Sequence, residues 1–338
     1  MPHPALLRRL VVAGAAGLAV GFAFTAFFTS ALHDPKPNGM RIAVVGPPDT
    51  AAQVQRQLSQ AIPGGFDVVG FATAGDARDA VRDQNVTGAF IPGPAGPTLL
   101  LAGADGVSVT NVLHAAFGAA AAAGHEHLTV RDLAPLPSHD ARGISAFFVV
   151  AGTTLGSLIF GVILFFAGGH ALTTPLRLRL VLIAGFSVTA GIVMATASDY
   201  VADGLDDHFW RVAGVAALLA AVVSLVTTAL IRWLGTPGVA LSALFIMLFS
   251  LPATGGAVGP EFVPDFYRAV APALPSHAAL LALKGSVYFG DRGIAGPLAI
   301  LGAWAAGALL AQVAAHRVRP APAPPRTGSP LEHLMSPG

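Results

Sequence analysis

The stretch ISAFFVVAGTTLGSLIFGVILFFA, residues 144–167, carries no charged side chain, and only small or hydroxylated residues interrupt its apolar run. A helix rises about 1.5 Å per residue, so about 20 such residues cross the roughly 30 Å hydrocarbon layer of a bilayer. Working outward from it, five further stretches have similar character: residues 10–30, 180–198, 211–231, 238–256 and 294–315. The whole chain agrees with this pattern. Of 338 residues, 54% are hydrophobic and 11% charged, against about 25% charged in an ordinary soluble domain. Mean hydropathy is +0.67 and net charge +1, which excludes a disordered chain, a nucleic-acid binder and a soluble enzyme. The absence of cysteine excludes disulfides, thiolate metal sites, iron–sulfur clusters and thiol catalysis. The fold expected is an α-helical polytopic membrane protein with six transmembrane helices and a small extracytoplasmic α/β domain between helices one and two.

Cationic side chains prefer the cytoplasmic ends of spans. Arg8 and Arg9 precede the first span, Arg177 and Arg179 separate the second and third, and Arg232 separates the fourth and fifth. Arg317, Arg319 and Arg326 follow the sixth. All of these fall on one side, against Arg268, Lys284 and Arg292 in the last outer loop, which places both termini in the cytoplasm of a bacterial plasma membrane and residues 33–143 outside. Trp210 and Trp233 bracket the fourth span, as indoles favour the headgroup level. The uncharged run around residues 10–32 is too long for a signal peptide, so residues 1–32 read as a cytoplasmic N-terminus and uncleaved anchor. Residues 144–316 form a five-helix membrane domain with an amphipathic outer segment at 260–293, and the Pro-rich residues 317–338 a cytoplasmic tail.

Residues 33–143 break the membrane pattern. Short apolar strands are expected at 41–45, 66–71 and 87–91, alternating with helices from Asp49 or Thr50 to Gln60 and over 76–82; further strands at 98–102 and 128–133 flank an Ala-rich helix at 110–123. Such alternation favours a mostly parallel sheet with helices packed on it. Position and composition leave open whether this domain binds a ligand, contacts a partner or shapes an exit path.

Within these span boundaries no Asp, Glu, Lys or Arg falls inside the membrane, so the intramembrane carboxylates of proton-coupled pumps are missing. Asp199, at a span end, reads as a solvated aspartate. There is no G-x-x-x-x-G-K-[ST] phosphate loop, and Lys284-Gly285-Ser286 lacks the Gly-rich run that would precede one. His125, Glu126, His127, His139 and Asp140 have poor zinc spacing and read as exposed loop. Asp199, Asp203, Asp206 and Asp207 lack the glycine and bidentate glutamate of a calcium loop. With no catalytic triad, H-E-x-x-H or G-x-S-x-G motif, the expectation is no enzyme, no catalytic or metal residues and no cofactor. Gly17 and Gly21, Gly152 and Gly156, and Thr153, Thr154, Ser157, Ser242 and Ser250 read as helix-packing positions, with a substrate path as the alternative.

Between spans five and six, the apolar runs 269–274 and 278–283 are separated by Pro275-Ser276-His277. Two short helices lying in or dipping into the outer leaflet are expected, with Ser276 capping a helix that begins at His277 and with Tyr267 and Tyr288 at the interface.

One anchor, an outward α/β domain, five further spans and a Pro-rich outer segment resemble the type-2 permeases of ATP-binding-cassette transporters, in particular the YhgE/Pip (phage infection protein) branch. The likeness rests on Val130-Arg131-Asp132-Leu133-Ala134-Pro135-Leu136-Pro137 with Asp140-Ala141-Arg142-Gly143, on Thr87-Gly88-Ala89-Phe90-Ile91-Pro92, and on Leu274-Pro275-Ser276-His277 through Lys284 to Val287-Tyr288-Phe289-Gly290. The resemblance implies an export permease subunit that is a homodimer in the lipid bilayer, energised by a separate nucleotide-binding ATPase subunit. Its partner-contact loop would include Leu172, Thr173, Thr174, Arg177 and Arg179, and its outer segment Pro275, Ser276, His277 and Tyr288. The cargo is not named by the sequence. The alternative is a non-transporting envelope receptor or assembly platform; a lipid-acting membrane enzyme would need a site seeded at residues 199–208.

Overall fold

In the computed structural model, residues 36–167, 175–201 and 208–318 are described, with isolated helical positions between 15 and 29. The chain is mostly helical, 71%, and among the described residues five helices are long and apolar enough to cross a membrane, consistent with a polytopic membrane protein. They run over Ser145–Phe166, Leu176–Tyr200, Phe209–Leu234, Thr236–Thr254 and Ala295–Val318. The expected first span lies outside the continuously described residues.

Ahead of these helices, five strands form one sheet: β1 (Met40–Val45), β2 (Phe66–Phe71), β3 (Gly88–Ile91), β4 (Thr98–Leu101) and β5 (Thr129–Asp132), in spatial order β2-β1-β3-β4-β5. β1 pairs in parallel with both β2 and β3, and β4 with β5; β3 and β4 form the antiparallel pair. The crossovers are α1 (Pro48–Ala61), α2 (Ala74–Arg82) and α3 (Val107–Ala123). Helix α1 begins at Pro48 without a side-chain cap, so neither Asp49 nor Thr50 caps it; proline at the first turn needs no amide partner. Thr73 caps α2 by accepting from the Asp76 amide at 3.1 Å.

Alternate residues of a strand point to opposite faces, and each face of the sheet is closed by a residue from far along the chain. One face packs Ala43, Ala89 and Leu100 against Ala77, Ala80 and Val81 of α2, together with Phe289. The other packs Met40, Ile42, Leu99 and Leu101 against Leu58 of α1 and Val109, Leu113 and Phe117 of α3, together with Phe262. The sheet's core is therefore completed by residues that flank the membrane helices. Arg292 strengthens this junction by pairing with Asp83 at 2.7 Å and Asp79 at 3.1 Å, and Gln84 donates to the Arg292 carbonyl at 3.3 Å.

The membrane helices are α4 (Ser145–Ala167), α5 (Leu176–Thr196), α6 (Phe209–Leu234), α7 (Thr236–Leu244) and α10 (Ala295–Val318); α8 (Asp265–Val270) and α9 (Pro275–Tyr288) lie between the last two. A π-helical turn at Ala197–Val201 prolongs α5, and π-helical Phe245–Ser250 then 3-10 Pro252–Thr254 prolong α7. Helix α6 is the central one, packing against α4, α5, α7, α9 and α10. Two glycines let neighbours reach its backbone: a Cβ at Gly191 of α5 would collide with the Ala213 carbonyl, and one at Gly238 of α7 with the Leu230 carbonyl. Gly152 faces Met194, whereas Gly156 faces no neighbour and its Cβ would meet open space.

The helices extend past the boundaries expected from hydropathy, and this brings charge inside them. Arg177 and Arg179 fall in the first turn of α5, and Arg211 and Arg232 near the two ends of α6. Arg179 and Arg232 are buried, contrary to the expectation of charge-free spans. The burial is tolerable because protein, not lipid, surrounds Arg179: its Nη1 donates to Gln312 Oε1 at 2.7 Å, and Gln312 in turn donates to the Leu225 carbonyl and the Thr228 hydroxyl.

Candidate functional site

Pro252 supplies no N–H, so the carbonyl of Leu248, four residues earlier, has no α-register donor where the π-helical stretch ends. The Tyr267 hydroxyl donates to that carbonyl at 2.7 Å. Tyr267 is thus buried inside the protein rather than placed at a lipid interface. The same π-helical stretch turns Ser250 inward toward the start of α9.

Helix α9 begins at Pro275 with Leu274 as its N-cap residue, so Ser276 lies within the first turn and does not cap a helix starting at His277. Its backbone amide instead donates to Ser250 Oγ at 3.3 Å, and Ser250 Oγ donates to Ser276 Oγ at 2.8 Å. Thr154 of α4 approaches the same Ser276 hydroxyl at 3.4 Å. Three fully buried hydroxyls from three elements therefore meet at one helix N-terminus, where amide donors without helical partners need acceptors.

The depth of that point follows from its neighbours. Trp304 Nε1, nine positions into α10 and so about 14 Å along it, donates to the Ala273 carbonyl at 2.7 Å. At the other end of α9, the Tyr288 hydroxyl donates to Asp140 Oδ2 at 3.4 Å, and Asp140 caps α4 by accepting from the Ile144 and Ser145 amides, each at 3.1 Å. Arg211, at the start of α6, donates to the Ser286 carbonyl at 2.7 Å and pairs with Asp291 at 2.8 Å. The chain descends from the sheet-bearing end to mid-bundle and returns through α9, a re-entrant hairpin covered by protein. Asp140, expected in an exposed loop, is buried because it serves α4 and Tyr288 together.

Above this hairpin lies a cavity of about 240 Å³, between the sheet-bearing unit and the helices. Asn38 ties its walls together: its amide donates to the Glu261 carbonyl at 2.9 Å and its Nδ2 to the Val263 carbonyl at 2.9 Å. Gly39 adopts φ +59° beside the Arg268 guanidinium, which a Cβ would strike. Asp105, Glu261, His277 and Lys284 line the interior, and Arg41 and Arg268 the exposed side. Lys284 is 5% exposed and its Nζ stands 3.9 Å from Asp105 Oδ1. Burial pushes the Asp105 carboxyl up to about 6; the Lys284 ammonium opposes this and nearby Asp132 adds to it. Burial and the Asp105 charge push Glu261 up to about 7, against the pull of Lys284. Glu261 Oε2 and His277 Nδ1 are buried atoms without a hydrogen-bond partner. This cluster combines two acids whose proton affinities burial raises with one ammonium and one imidazole.

The sequence candidates thus divide. Pro275, Ser276, His277 and Tyr288 are brought together along α9, between the hydroxyl cluster and the cavity. Arg177 and Arg179 stand at the opposite end of the bundle, exposed and buried respectively, and Leu172, Thr173 and Thr174 lie outside the described residues. His125, Glu126, His127 and His139 are exposed, and among the described residues no group of His, Asp and Glu could hold a metal ion. Asp199 is half-buried in the π-helical turn rather than solvated, and Asp203, Asp206 and Asp207 lie outside the described residues. Sequence reading missed the trio Asp105, Glu261 and Lys284. The available signal was Lys284 itself, one of two lysines in the chain, interrupting an apolar helix.

Compared with protein-family models, curated proteins and solved structures, the chain finds no match. The functional reading therefore rests on the residues and their geometry.

Proposed function

We propose that the chain is the membrane permease subunit of an export system, homodimeric in a bacterial plasma membrane and energised by a separate nucleotide-binding subunit. In this reading both termini are cytoplasmic, residues 33–143 stand outside, and the chain is akin to type-2 permeases of the YhgE/Pip kind. The observation that carries it is the re-entrant hairpin, which brings the N-terminus of α9 and the hydroxyls of Ser250, Ser276 and Thr154 to mid-bundle depth. Polar backbone at that depth is costly unless it lines a path or is covered by protein, and here protein covers it directly below the interface cavity that His277 and Lys284 line. The clustering of Arg177, Arg179, Arg232 and Arg317 at the opposite end supports the orientation.

The test is affinity purification of the tagged chain from its native membrane after mild crosslinking. Recovery of a nucleotide-binding subunit in stoichiometric amount, lost when residues 168–179 are replaced, is the expected result. Recovery of envelope-assembly proteins alone overturns it in favour of a receptor or assembly platform. One observation favours that second reading: an apolar cavity of about 540 Å³ opens between α1 and α3, lined by Val54, Leu58, Phe66, Phe90, Ala116 and Phe117.

A further inference from the structure

The interface cavity is lined by two carboxyl groups, Asp105 and Glu261, against one ammonium, and Glu261 keeps a buried oxygen without a hydrogen-bond partner. Glu261 Oε2 has no partner, and His277, 8% exposed, has none at Nδ1. Two carboxylates, Asp105 and Glu261, face the single ammonium of Lys284, so the interior carries one uncompensated negative charge when both acids are ionised. At the rim, Arg41 is paired with Asp67 at 3.6 Å and Arg268 with Asp265 at 3.1 Å; Asp132, below, is occupied by the Gly103 and Ala134 amides. Neither rim arginine therefore neutralises the interior, yet both keep exposed guanidinium donors.

The geometry points to a binding site for a small zwitterion: a primary ammonium paired with the Asp105 and Glu261 carboxylates, with its anionic end held at the rim by Arg41 and Arg268. A bare ammonium compensates the charge and donates to the carboxylates at once. A quaternary ammonium has the charge but no N–H to donate, and a free anion meets the carboxylates. A volume of about 240 Å³ admits a molecule the size of an amino acid or of a phosphoethanolamine group. That chemistry reaches the cavity either as a free solute or as the headgroup of a lipid. Because Glu261 holds a proton near neutrality, ammonium binding expels that proton, and the affinity rises as pH rises toward 8.

The site goes beyond the export reading, and its test involves no transport, so either can fail alone. The full chain in phosphatidylcholine nanodiscs is titrated calorimetrically with phosphoethanolamine and, separately, with phosphocholine. The expected result is saturable binding of phosphoethanolamine, with phosphocholine weaker by about tenfold or more. Glu261→Gln, which keeps the shape of the side chain, weakens phosphoethanolamine by about tenfold or more, and Arg268→Gln weakens it while leaving ethanolamine unaffected. Repetition in phosphatidylethanolamine nanodiscs separates the sources: the lipid source blocks the free ligand, the solute source leaves its affinity unchanged. No saturable binding, equal binding of phosphocholine, or wild-type affinity in a Glu261→Gln chain that melts normally overturns the proposal.

Discussion

Replacing Tyr267 with phenylalanine removes one hydroxyl and nothing else from a buried site. Its partner, the Leu248 carbonyl, has already lost its helical donor to Pro252, so the substitution leaves a buried acceptor without a bond. An orphaned buried carbonyl costs about 1–3 kcal/mol, which is about 5- to 150-fold in the folded-to-unfolded ratio. The bond's origin makes a sharper statement possible. Pro252→Ala restores an N–H four residues from Leu248, and in that background the carbonyl has a second donor available. Tyr267→Phe should then cost less than about 1 kcal/mol, giving a coupling of about 1–2 kcal/mol in the double-mutant cycle. The assay is equilibrium unfolding of the detergent-solubilised chain by a denaturing detergent, followed by tryptophan fluorescence. An equal cost of Tyr267→Phe in both backgrounds would refute the account of why the π-helical stretch needs Tyr267.

Other consequences follow from the junction and the helix contacts. Phe289→Ala should destabilise by about 3–5 kcal/mol because it empties part of the sheet's core, whereas Arg292→Ala, at an exposed pair with Asp79 and Asp83, should shift the unfolding midpoint only slightly; parallel unfolding curves measure both. Gly238→Ala should cost about 1–3 kcal/mol or more, since its Cβ meets backbone that cannot swing aside, while Gly156→Ala, with open space around it, should change the unfolding midpoint little. Asp105 and Glu261 have folded-state affinities for protons raised above those of the unfolded chain, toward about 6 and about 7. The native state therefore binds more protons, and stability should fall as pH rises from about 4 through 7. Melting curves from pH 4.5 to 8 should show this fall, and Glu261→Gln should flatten its upper part.

Hydropathy locates the five long apolar helices among the described residues, because lipid demands uninterrupted apolar length, and among these it misses the ends, where Arg177 extends one helix and Arg179 and Arg232 are buried against protein. The sheet's elements are likewise legible, since short apolar runs alternate with polar, helix-forming segments; the Thr73 cap of α2 is not part of that reading. What local pattern cannot carry is a partner distant in sequence. Ser276 has the residue type of a cap, yet Ser250 accepts from its amide. Asp140 looks like loop but serves the first turn of α4 and the Tyr288 hydroxyl. The cavity gathers Asp105, Glu261 and Lys284 from three separate segments, and no spacing rule joins them. Gln312, a lone amide in the last span, marked the buried arginine cluster for a reader who asked what it bonds.

The export reading stands on the chain's orientation, with the sheet-bearing unit outside and the Arg177 end facing the cytoplasm. Because the chain has no cysteine, single replacements report without background. Gln57→Cys on α1 and Arg177→Cys on α5, both at exposed positions, are treated in intact cells with a membrane-impermeant maleimide. The account predicts labelling at position 57 in intact cells and at position 177 only after lysis. Labelling at 177 in intact cells, with 57 protected until lysis, would contradict it.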